Sequence, residues 1–74
     1  MKNEVLYIVI PCYNEEEVIL ETTKRLKEKI NKLIKDKSIS NKSRVMYVND
    51  GSKDKTWNLI ENISQTEEYF TGIS

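Results

Sequence analysis

Histidine is absent from the 74 residues, cysteine and proline occur once each, and glycine twice. Without an imidazole, this segment has neither a histidine general base nor a histidine metal ligand. Cys12 alone cannot close an internal disulfide or build a multi-cysteine metal site, which fits a reducing compartment. Charge of one sign is missing too. Twelve basic residues balance 12 acidic ones, so an electrostatically driven nucleic-acid binder is not expected. The longest apolar run, Val5 to Ile10, falls far short of the ~20 residues a membrane-crossing helix takes. Met1-Lys2-Asn3-Glu4 leads straight into that run, which stops at Pro11 without the small residues of a secretory cleavage site. The expectation is one small, soluble, cytoplasmic domain, burying about 60% of its unfolded surface.

What is present reads as alternating strands and helices. Val5 to Ile10 is β-branched and aromatic with no polar alternation, the pattern of a parallel strand covered on both faces. Pro11 is expected to end it. Asn14 reads as a helix N-cap, with Glu17 reaching back in a capping box and Glu15 to Glu17 at the positive end of the helix dipole. Ile19, Thr23, Leu26, Ile30, Leu33 and Ile34 then form one apolar stripe, predicting a helix from about Glu15 to about Lys35. Glu21–Arg25 and Glu28–Lys32 stand at favourable i,i+4 spacing.

A polar turn, Asp36 to Ser43, precedes a second strand at Arg44 to Val48. A second helix, capped by Ser52 or Asp54, carries Trp57, Ile60 and Ile63 on its apolar face. Tyr69 to Ser74 resembles the start of a third strand. Strand, long helix, strand is a crossover unit, so the strands should be parallel and the crossover right-handed. The fold class is therefore α/β, a β-α-β-α-(β) arrangement. The 74 residues are expected to be the N-terminal part of a longer α/β protein.

Two strand-to-helix junctions carry the chemistry. Ligands of open parallel sheets bind outside the carboxyl ends of the strands. Pro11 to Glu15 and Asn49 to Ser52 both lie there, side by side if the strands are neighbours. Together they offer an aromatic face at Tyr13, carboxylates at Glu15 and Asp50, and backbone N–H groups at Gly51 and Ser52. That set suits a nucleoside better than a bare phosphate, because no Gly-rich phosphate loop is present. Each residue also has a plainer use: Tyr13 packing over a strand end, Glu15 supporting a helix dipole, Asp50 making an Asx turn before glycine. Cys12 and Trp57 read as packing residues, and the basic stretch Lys24 to Lys37 as a solvated helix face.

"IVIPCYNEEEVI" followed by "VMYVNDGSKDKTW" resembles the opening of a family 2 glycosyltransferase of the GT-A, Rossmann-like fold. The nearest subgroup is the polyprenyl-phosphate sugar transferases, similar to dolichyl-phosphate mannose synthases and bactoprenol glucosyltransferases. The resemblance implies that Pro11, Tyr13 and Glu15 contact the base and ribose of a nucleotide-sugar such as a UDP- or GDP-sugar. It assigns Asp50 to the base and Gly51 and Ser52 to the turn beside it. Asn49 stands where the family most often has aspartate, and Asp54 is read as structural. The resemblance further implies a Mg2+ or Mn2+ ion, a catalytic base and a lipid-phosphate or glycan acceptor. The residues for all three lie outside this segment, so the segment is expected to be inactive alone. Localisation would be cytoplasmic, or the cytoplasmic membrane face if helices follow. Two other classes remain open on the residues: a receiver-like regulatory module, and an interaction domain that self-associates through an exposed sheet edge.

Overall fold

The computed structural model describes residues 4–74; Met1, Lys2 and Asn3 of the N-terminal lead lie outside the described residues. The elements run β1 (Tyr7–Cys12), α1 (Ile19–Lys35), β2 (Arg44–Asn49), α2 (Thr56–Thr66) and β3 (Phe70–Ile73). The strands form one parallel sheet in the order β1-β2-β3, with Ile10 opposite Tyr47 and Tyr47 opposite Gly72. Two right-handed crossovers stepping the same way across a sheet place both helices on one face. The contacts agree. Thr23 of α1 hydrogen-bonds the Tyr47 hydroxyl at 2.7 Å. A Cβ added at Gly72 would run into Ile60 of α2.

The core lies between that face and the helices. Cys12, Val45, Tyr47 and Phe70 come from the sheet, and Ile19, Ile30, Ile60 and Ile63 from the helices. The apolar stripe expected on α1 is the one that packs: Ile19, Thr23 and Ile30 are buried, and Leu26, Leu33 and Ile34 lie partly buried against the core. The other face of the sheet is open, with Tyr7 67% and Val9 60% exposed. Full cover of β1 on both sides, expected from its unbroken apolar run, is therefore not what the described residues provide.

β1 begins and ends two residues later than expected, and Pro11 lies inside it opposite Val48. The ladder explains how. Leu6 and Cys12 carbonyls accept from the amides of Arg44 in β2 and of Asp50 just beyond it, so even-numbered residues of β1 turn their polar groups towards β2. Pro11, odd-numbered, turns its missing N–H to the free edge, where no ladder bond is lost.

α1 begins four residues later than expected, with Val18 at its N-cap and no side-chain cap. Asn14 does not cap the helix; it sits in the left-handed region at φ 52°. Two amides that a cap at Asn14 would have served are bonded across the molecule instead, Glu16 to Asp54 and Asn14 itself to Ser52, and the Glu15 amide between them donates to Thr56. At the other end, Ser38 N donates to Leu33 O at 2.8 Å and Lys37 N to Ile34 O at 3.0 Å, with Lys37 at φ 60°. That is a Schellman closure with lysine where glycine is usual. Of the two expected helical ion pairs, Glu21–Arg25 forms at 2.9 Å. Among the described residues the other bridge is Lys27–Glu67, also at 2.9 Å, linking α1 to the end of α2.

Candidate functional site

Neighbouring parallel strands bring the two junctions together. Cys12 stands opposite Asn49 in register, and the Asp50 amide donates to the Cys12 carbonyl at 2.9 Å. Tyr13 to Glu16 and Asp50 to Asp54 thus leave the same end of the sheet as adjacent loops. This is the carboxyl end, where open α/β sheets bind ligands.

The loops are tied by reciprocal bonds. Asn14 N–H donates to Ser52 Oγ at 3.0 Å, and Asn14 Oδ1 accepts from Lys53 N–H at 2.9 Å. Glu15 N–H donates to Thr56 Oγ1 at 2.7 Å. Glu16 N–H donates to Asp54 Oδ2, and Lys55 N–H to Glu16 Oε1, each at 3.3 Å. Thr56 is fully buried; its amide donates to Asp54 Oδ1 at 2.9 Å and its hydroxyl donates to the same oxygen. Hydrogen bonding from the Thr56 hydroxyl, opposed by desolvation and helped by the Thr56 and Glu16 amides, holds Asp54 below the usual carboxylate range.

Asn49 is buried and uses both ends of its amide. Its Oδ1 accepts from Ser52 N–H at 3.2 Å, and its Nδ2 donates to Ser74 Oγ at 3.1 Å. It fixes the turn and joins it to the chain beyond β3. Gly51, at φ 72°, closes that turn in a conformation that disfavours any side chain, although the space around it is open.

The expected site residues divide by what they leave available. Tyr13 is 53% exposed and presents its ring to solvent, Asp50 is exposed, and Glu15 is half-buried. Pro11 is exposed on β1. Ser52 is already engaged, through its oxygen with Asn14 and through its amide with Asn49. Between the end of β1 and the start of α1 a pocket of about 140 Å³ opens, walled by Pro11, Cys12, Glu15, Val18, Ile19 and Tyr47 among others. It is mostly apolar, with Glu15 among its lining residues. Burial, and secondarily the Glu15 charge, push the Cys12 thiol up, so it stays protonated at neutral pH. Among the described residues no three His, Cys, Asp or Glu side chains converge to hold a metal ion. No helix there is long and apolar enough to cross a membrane.

Asn14, whose side chain was accounted for as a cap, instead holds the second loop, and Thr56, the last residue of the D-G-S-x-D-x-T pattern that Asp54 matches, was given no role of its own. Its place two residues after Asp54 is the spacing that lets a carboxylate accept from the Thr amide and hydroxyl together.

A parallel α/β sheet with two interlocked loops at the carboxyl ends of adjacent strands defines a protein of the Rossmann-like class. Over residues 7–73 the chain matches, and belongs to, glycosyl transferase family 2, as the N-terminal part of that family's GT-A fold. It is 48% identical over 69 residues to the uncharacterized glycosyltransferase YkoT of Bacillus subtilis (strain 168), covering 93% of this chain and 20% of that protein. To the uncharacterized glycosyltransferase YkcC of the same organism it is 43% identical over 61 residues, 81% of this chain and 17% of that one. The chain therefore spans about a fifth of the length of these curated relatives. No solved structure gives a significant match.

Proposed function

We propose that residues 1–74 supply the nucleoside-binding half of the donor site of a glycosyltransferase. The whole enzyme would move a sugar from a UDP- or GDP-sugar to an acceptor, with polyprenyl phosphate the acceptor favoured by the two motifs. Family membership carries the coarser statement, a glycosyltransferase with a nucleotide-sugar donor and an acceptor. The observation that carries the finer one is the placement of Tyr13, Glu15 and Asp50 on two loops clasped at the ends of β1 and β2.

In this reading the base packs on the Tyr13 ring and Asp50 accepts from its N–H edge. Glu15 accepts from a ribose hydroxyl, Pro11 closes the floor, and Gly51 lets the backbone approach the ligand. Ser52 shapes the turn. The segment's part in catalysis is positional. Fixing the nucleoside orients the sugar so that an acceptor oxygen can attack the anomeric carbon as the nucleoside diphosphate departs. Among the described residues the carboxylates do not form a metal cluster; a Mg2+ or Mn2+ ion serving the departing diphosphate would take ligands from outside this segment. The site of action proposed for the whole enzyme is the cytoplasm or the cytoplasmic face of the membrane.

An amide NMR titration of this chain with UDP, GDP and CDP tests the reading and ranks the bases. Shifts confined to Tyr13–Glu15 and Asn49–Ser52 are expected, and Tyr13→Ala should weaken binding roughly tenfold, since base–aromatic stacking is worth about 1–3 kcal/mol. Shifts elsewhere, or none in a folded chain, would remove the proposed half-site. The same chain is expected to transfer no sugar from any nucleotide donor; measurable transfer would refute that part.

A further inference from the structure

Thr56 lies at the root of α2, fully buried, with no side-chain atom on the ligand surface. Its hydroxyl nevertheless stands between the two halves of the site. It accepts from the Glu15 amide at 2.7 Å and donates to Asp54, whose second oxygen receives the Glu16 amide at 3.3 Å. These bonds replace the helical cap that the sequence around Asn14 would otherwise make. They hold Tyr13 to Glu16 as a fixed loop ahead of α1, rather than as its first turn.

We infer that Thr56, through its hydroxyl and with Asp54 behind it, is a positioning residue of the donor site, setting where Tyr13 and Glu15 meet the nucleoside. The inference rests on the nucleoside-site reading above. It adds that affinity depends on a hydroxyl that never touches the ligand. The chemistry requires one group that accepts from an amide and donates to a carboxylate at once. Serine and threonine do this, while valine, of the same shape as threonine, does neither. An unserved Glu15 amide would be left to solvent, and the loop carrying Tyr13 would loosen from its fixed position.

The test compares wild type, Thr56→Val, Thr56→Ser and Asp54→Asn by UDP titration well below each variant's melting temperature. Amide exchange at Glu15 and Glu16 is read alongside. Thr56→Val should weaken UDP binding about fivefold, on the scale of one lost hydrogen bond, and speed exchange of the Glu15 amide. Thr56→Ser should restore both to within about twofold of wild type. Asp54→Asn should speed exchange at Glu16 and weaken binding in the same direction. In a Thr56→Val/Tyr13→Ala cycle, the second change should add little to the loss from Tyr13→Ala alone. A merely structural threonine would lower the melting temperature and leave the affinity of the folded molecules unchanged; that result overturns the inference and spares the donor-site reading. A wild-type chain that is folded but indifferent to UDP, GDP and CDP overturns both. If Thr56→Val does not fold, the Ser and Asn variants carry the comparison.

Discussion

The pKa of Cys12 is shifted up and that of Asp54 down, and each shift leaves a measurable mark. The Cys12 thiol is 3% exposed and pushed up by burial and by the Glu15 charge. In the folded chain at pH 8 it should react with a disulfide reagent at least about tenfold more slowly than in denaturant. Equal rates would mean that the end of β1 opens freely. Asp54 behaves as a carboxyl held low when folded. Such a group adds stability above its unfolded pKa, and that stability is lost as pH falls through the ordinary carboxylate range towards the lower folded value. Asp54→Asn should therefore be less stable than wild type near pH 7, with the difference closing below about pH 4; thermal melts at several pH values read it directly. At this scale the sequence was legible only in part. Tyr13, Glu15 and Asp50 stand out as candidates because aromatic and acidic residues at strand ends are unusual. Thr56 and Asn14 do not, because their partners lie 41 and 38 or 39 positions away. A bond between a side chain and a distant backbone amide leaves no local pattern.

α1 shows which features of an element are local. Its apolar stripe and its lysine-rich last turn follow from spacing along one helix and were readable. Its start was not, because the competing partners for the Glu15 and Glu16 amides come from the root of α2. The C-terminal closure leaves Lys37 at φ 60°, a conformation costly for a residue with a Cβ. Lys37→Gly should stabilise the chain by about 0.5–1 kcal/mol in denaturant melts; a loss of stability would show that the lysine side chain does more than fill the position. β3 gives the opposite case. Gly72 admits no side chain because Ile60 occupies the space a Cβ would need, so Gly72→Ala should cost about 1–3 kcal/mol through overpacking of α2 on the sheet. Between α1 and β2, Thr23→Val would strand the Tyr47 hydroxyl in the core, at a cost of about 1–3 kcal/mol.

The molecule as a whole is two layers thick, both helices lying over one face of a three-stranded sheet. Alternating strands and helices made the α/β class and the parallel pairing legible. The described residues do not supply the cover that the second face calls for; an unbroken apolar strand states what it needs buried and not what is there to bury it. Tyr7, Val9 and Ile73 stand exposed on that face, an apolar patch of the kind that promotes association. The isolated chain should therefore show an apparent mass that rises with concentration in sedimentation velocity, and Val9→Lys should suppress the rise. A concentration-independent monomer would show that the open face tolerates water.

Pro11 bears on what can happen at the rim of that sheet. The outward donors of β1 are the odd-numbered amides, and within the strand only Tyr7 and Val9 have one to offer, since Pro11 has none. A foreign strand zipping along this edge from the Tyr7 end meets two rungs and then a gap. The gap falls two residues before Tyr13. One imino acid thus acts as a stop, keeping edge-on pairing from creeping up the ladder into the loops that would receive the nucleoside.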